Sequence, residues 1–195
     1  MKRKLLNAVL FGSLLSTGSA YAGNASLALQ VKSTIEVGTC TAEIYDGSTK
    51  TNTIGMGSVP VSQVLRPSTG KSFSLRFRDC SGLPNSKALL KIQKRAGGCA
   101  GGDSNQETFA NSSAETAKAG ATALELWPGA VDTGTKFNCN NPASTEQTIS
   151  LPANTATTPY SYPLSARLVK PTGKADSDVT AGAFLGETTF IISYN

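Results

Sequence analysis

The chain contains no histidine. Without an imidazole, neither a Ser-His-Asp nor a Cys-His catalytic set can be assembled, and histidine-ligated metals are excluded with them. The four cysteines, Cys40, Cys80, Cys99 and Cys139, include no C-x-x-C pair. That spacing argues against a zinc site. No apolar run approaches the roughly 20 residues that span a bilayer. No segment of the mature chain carries a cluster of Lys and Arg, so binding of nucleic acid is not expected. No stretch sustains a 3.6-residue apolar period, which leaves little room for amphipathic helices. No cofactor or metal site is expected, and enzymatic activity is not.

The first residues read as an export signal. Lys2, Arg3 and Lys4 precede an apolar stretch from Leu5 to Leu15, and Ala20-Tyr21-Ala22 supplies a small-x-small cleavage site. Residues 1–22 are therefore expected to be removed, leaving 173 residues, the size of one domain. The formal charge of +5 owes much to the leader. With its three cations gone, 15 Lys and Arg face 13 Asp and Glu, a net +2.

An even number of cysteines in an exported chain points to disulfides. Three connectivities are possible. The sequential one, Cys40–Cys80 and Cys99–Cys139, is favoured, and each bridge would then close 40 positions. In the chain-entropy view such a closure is worth about 4 kcal/mol.

What the sequence has in quantity is Thr, Ser, Gly and Ala, with short apolar alternations between turn residues. This pattern predicts an all-β sandwich. Strands are expected at Leu27–Val37, Thr41–Tyr45, Ile54–Val59, Ser72–Asp79, Ala88–Lys94, Leu124–Trp127, Gln147–Leu151, Leu164–Val169 and Glu187–Tyr194. The stretch from Arg95 to Gly120 reads as a long loop, with one helical turn possible over Ala114–Ala123.

The two ends are the most informative. Ala25, Leu27, Leu29 and Val31 alternate with Ser26, Ala28, Gln30 and Lys32, as in a strand with one apolar face. At the other end Phe190, Ile192 and Tyr194 share a face, and no later strand is expected to close the sheet. The N-terminal segment is expected to serve as a strand for a neighbour, which indicates assembly in place of catalysis.

Weaker motifs fall away. Ser68-Thr69-Gly70-Lys71 has S-x-x-K spacing but sits in a turn, whereas that chemistry uses a helix. Gly70-Lys71-Ser72 fails as a phosphate loop because position 65 is Leu. Asp176-Ser177-Asp178 lacks the other ligands of a calcium loop. Trp127 reads as packing ahead of sugar stacking.

In order and spacing, these features resemble the subunits of chaperone–usher fimbriae, the pilins. The resemblance rests on the signal peptide, the alternating extension, Val37-Gly38-Thr39-Cys40, the strand ending Phe77-Arg78-Asp79-Cys80, and Gly55-Met56-Gly57 between the two cysteines. It rests further on Leu164-Ser165-Ala166-Arg167-Leu168, on Gly182 fourteen positions from the end, and on a penultimate tyrosine, Tyr194. The pair Cys99 and Cys139 departs from the pattern of many members.

The resemblance implies an immunoglobulin-like sandwich lacking its final strand, completed by a donor strand in trans. It implies a signal peptide over 1–22, a donor extension over 23–33 and a pilin domain over 34–195. The donor residues would be Ala25, Leu27, Leu29 and Val31. The acceptor strand would carry Gly182, Phe190, Ile192, Tyr194 and Asn195, with the Asn195 carboxylate held by basic residues of a chaperone. Burying Leu27, Leu29 and Val31 would contribute about 5–9 kcal/mol gross. The partners implied are a periplasmic pilus chaperone, an outer-membrane usher and neighbouring subunits, and the location is a cell-surface fimbria. A structural subunit is the leading expectation, and a tip adhesin or adaptor binding a receptor is the alternative.

Overall fold

The computed structural model of the chain describes residues 38–83, 85–102 and 106–194. The extension carrying Ala25, Leu27, Leu29 and Val31, the strand expected over Leu27–Val37, and Asn195 lie outside the described residues.

Two antiparallel sheets enclose one core. The larger is built from β1 (Thr39–Asp46), β2 (Thr49–Lys50), β3 (Lys71–Ser81), β5 (Cys99–Ala100), β6 (Thr108–Ala110), β7 (Ala123–Pro128) and β9 (Tyr160–Val169). Their spatial order is β2-β1-β3-β9-β7-β6-β5. The smaller sheet holds β4 (Lys87–Lys94), β8 (Gln147–Ser150) and β10 (Thr188–Tyr194), in the order β10-β4-β8. Period-2 alternation sends Phe73, Leu75 and Phe77 of β3, Leu124 and Leu126 of β7, and Leu164, Ala166 and Leu168 of β9 inward. They meet Ala88, Leu90 and Ile92 of β4 and Ile149 of β8 in the same buried cluster.

A bulge near the end of β3 explains how Cys80 enters that cluster. Strict alternation from Phe77 would point Asp79 inward and Cys80 outward. Thr41 pairs with Arg78 but Thr39 pairs with Ser81, so β3 carries one extra residue there. Asp79 absorbs it in the left-handed region, at φ 54°. Cys80 is thereby turned inward and bonded to Cys40.

The structure corrects several sequence-based expectations. Ile54–Val59 is not a strand: it has no strand alongside to pair with among the described residues, and Gly57 within it takes a positive φ of 66°. The expected loop from Arg95 to Gly120 contains β5 and β6, whose pairing Cys99↔Phe109 extends the larger sheet beyond β7. No helical turn forms over residues 114–123. The one α-helix among the described residues is α1 (Val61–Leu65), with Pro60 at its N-cap position. β9 begins at Tyr160, four residues before the expected start.

Candidate functional site

A groove of about 1160 Å³ opens between the sheets. Its floor is apolar: Phe73 of β3, Leu124 and Leu126 of β7, and Ala166 and Leu168 of β9. One flank is the irregular segment 52–60 leading into α1, which presents Ile54, Met56 and Val59. The other flank is the segment 179–188 together with β10, which presents Val179, Phe184 and Phe190.

Both flanks have open backbone edges. β10 pairs with β4 along its whole length, from Thr188↔Lys94 to Tyr194↔Ala88, and no strand lies on its other side among the described residues. Residues 54–59 make no backbone–backbone hydrogen bond among the described residues. Two unpaired edges bordering an apolar floor are what an additional extended chain would satisfy.

Side-chain burial agrees with an incomplete sandwich. Directly across the ladder, Ala88, Leu90 and Ile92 of β4 are sealed. Their partners Tyr194, Ile192 and Phe190 pack on the same core but remain half-exposed. Among the described residues β4 has a strand on each side, β10 and β8, whereas β10 has one only on the β4 side.

The site residues expected from the sequence are distributed as follows. Phe190, Ile192 and Tyr194 all face the core side of β10. The Tyr194 hydroxyl donates to the Cys40 carbonyl at 3.2 Å, linking β10 to β1 in the opposite sheet. Burial pushes its phenol pKa upward. Gly182 lies against the backbone of residues 117–119. A Cβ there would stand 2.5 Å from the carbonyl oxygen of Ala117 and from the amide nitrogen of Ala119. The bridges are Cys40–Cys80 and Cys99–Cys139. The second joins β5 to the segment running into the turn at Pro142–Thr145, away from the groove.

Sequence reasoning did not single out α1, although Pro60 followed by Val61, Val64 and Leu65 at helical spacing is a legible helix start. It also missed the ion cluster behind β7 and β9. Arg167 donates to Glu125 at 2.8 Å and to Asp132 at 2.7 Å, and Lys136 donates to the other Glu125 oxygen at 2.9 Å. Trp127 donates its Nε1–H to Glu125 at 3.2 Å. Burial pushes the Glu125 carboxyl up, but the hydrogen bonds from Lys136 and Arg167 outweigh it and hold the group below the usual carboxylate value. Every charge in the cluster is partnered, so its chemistry is structural. It pins residues 129–136 over the outer face of the larger sheet.

Comparison with known proteins decides the family. Over 191 residues the chain is 41% identical to an uncharacterized fimbrial-like protein, YadL, of Escherichia coli strain K12, an alignment that covers 96% of this chain and 92% of the relative. The chain belongs to the fimbrial-like proteins. No family model matches it. Among solved structures, this fimbrial-like protein shares its fold with the P pilus rod subunit PapA, at TM-score 0.54 and 14% identity, covering 80% of this chain and 99% of that one. A chain from the structure of a chaperone–usher pilus matches at TM-score 0.55 and 14% identity, covering 88% and 97%. The pilin-type sandwich expected from the sequence is therefore the fold observed.

Proposed function

We propose that this fimbrial-like protein is a structural subunit of a cell-surface fimbria, polymerised by strand exchange. Its groove accepts an extended apolar segment from the next subunit. Its own residues 23–33, released by removal of residues 1–22, supply that segment to another copy or to a related subunit. Ala25, Leu27, Leu29 and Val31 enter the neighbour's groove while the main chain pairs with β10. Before assembly, a periplasmic chaperone lends a strand to the same edge and an outer-membrane usher catalyses the exchange. The Asn195 carboxylate serves as the chaperone's anchor. The role is structural and not enzymatic.

The observation that carries this reading is the open edge of β10 beside half-exposed Phe190, Ile192 and Tyr194. Such an edge on a soluble subunit is an association hazard unless a partner strand covers it. The other half of the argument is the alternating extension, whose apolar face suits an apolar groove.

The test separates donor from acceptor. A chain carrying Leu27→Asp and Leu29→Asp keeps its groove but loses its donor. A chain carrying Ile192→Asp keeps its donor but loses its groove. Each alone is expected to stay monomeric by sedimentation, and the mixture to form heterodimers and no larger species. Wild-type chains that remain monomeric, or variants that fail to pair when mixed, would contradict the proposal.

A further inference from the structure

The groove wall formed by residues 179–187 is not a regular strand. It meets the loop after β6 through an isolated bridge, Lys118↔Ala183, flanked by Ala119 N–H donating to Ala183 O at 2.9 Å and Ala183 N–H donating to Ala117 O at 2.8 Å, and through Thr180, whose Oγ1 accepts from Gly120 N–H at 2.9 Å. With so short a ladder, something else must hold the wall in register.

One side chain makes several of the contacts that do so. Asn111 sits just past the end of β6, and its amide makes four hydrogen bonds. Nδ2 donates to Ala119 O at 3.1 Å and to Ala183 O at 2.9 Å. Oδ1 accepts from Ser113 N at 3.0 Å and from Leu185 N at 3.1 Å. All the bonding capacity of a carboxamide is used. Three of the four partners, Ala119, Ala183 and Leu185, are residues that line the groove. Ser112 reinforces the contact, its N–H donating to Leu185 O at 2.8 Å. Its hydroxyl lies 2.9 Å from Leu185 O and 3.1 Å from the Glu187 carboxylate.

We infer that Asn111 is a positioning residue for strand acceptance: it fixes the wall against which one end of the incoming donor segment packs. The inference rests on the reading of the groove as a strand acceptor. Asn111 touches no donor itself. It acts by holding the main chain of residues 183–185 at one distance from the floor residues Leu124 and Leu126. Asp at this position has the same shape but offers no donors, and its charge would face the Ala119 and Ala183 carbonyl oxygens. Glycine at 182 supports the same arrangement by letting the two main chains meet closely.

The experiment uses the full mature chain carrying Leu27→Asp and Leu29→Asp, so that its own extension does not compete. A fluorescent peptide copying Gly23–Lys32 reports association and dissociation, with two further peptides each shortened by three residues at one end. Adding Asn111→Asp should speed release of the full peptide by roughly ten-fold, the effect of a groove wall that is no longer preorganised for the peptide. The difference from the parent should vanish with one shortened peptide and persist with the other, because only one end meets the wall. A merely structural defect would weaken all three peptides alike and would overturn the inference. So would unchanged release rates. Ser112→Ala, which removes only a hydroxyl, should act in the same direction with the same end dependence, and carries the test if Asn111→Asp fails to fold. Failure of the parent chain to bind any peptide would instead overturn the strand-acceptor reading itself.

Discussion

Glu43 lies on the outer face of β1 between two cations. Arg78 Nη2 approaches it at 3.1 Å from β3 and Lys50 Nζ at 2.6 Å from β2. Hydrogen bonds from Arg78 and then Lys50 hold its carboxyl at about 2, against an ordinary value of 4.5. A depressed carboxylate stabilises the fold above the unfolded value and loses that contribution as pH falls through the folded one. Thermal melts should therefore show the wild type losing stability between pH 4.5 and about 2, with a shallower decline for Glu43→Gln. Parallel curves would remove Glu43 from the account. Gly182 offers a second test. Gly182→Ala forces a methyl against the backbone of residues 117–119, and overpacking of this kind costs about 1–3 kcal/mol, measurable by urea unfolding. An unchanged midpoint would mean that the two main chains separate freely.

At the scale of elements, the strands of the core were legible because their residues alternate. Phe73, Leu75 and Phe77, and Ala88, Leu90 and Ile92, can bury one face only as strands. What was not legible depended on pairing across distance. Ile54–Val59 has strand-like residues around Gly55 and Gly57, yet a strand exists only where a partner lies alongside, and none does among the described residues. β5 and β6 are too short for periodicity to register, and they form because Phe109 is buried beside β7. The buried pair Glu125–Arg167 lies 42 positions apart in sequence, and only the register of β7 against β9 brings the two together as cross-strand partners. Asn111 carries no sequence signal at all, since its four partners span residues 113–185. The second disulfide belongs to this scale too. It ties the β5 end of the larger sheet to Cys139, whose amide also donates to Glu107 O at 2.9 Å. Replacing Cys99 and Cys139 together by Ser should lower unfolding stability by about 4 kcal/mol at most, from a closure spanning 40 positions. Donor-peptide binding should survive, because the bridge lies outside the groove. Loss of peptide binding in a folded Ser variant would place the bridge in the acceptor machinery.

At the scale of the whole molecule, the described domain is a sandwich with one face of its core left ajar. Leu185 and Ile191 are its exposed large apolar residues, at 47% and 37%, and both lie on the segment that borders the groove or continues from it. No helix among the described residues is long and apolar enough to cross a membrane. Melting reads out whether a strand in trans completes this fold. The mature chain carrying Leu27→Asp and Leu29→Asp is heated with and without a peptide copying Gly23–Lys32. At about a hundred-fold excess over its dissociation constant the peptide adds about 2.7 kcal/mol, which for a domain of this size raises the melting temperature by roughly 5–10 °C. A rise of that order, abolished when Ile192→Asp is added, is the predicted result. An unshifted melt of a chain already stable and monomeric would mean that the sandwich is closed, and the account of strand exchange would fail.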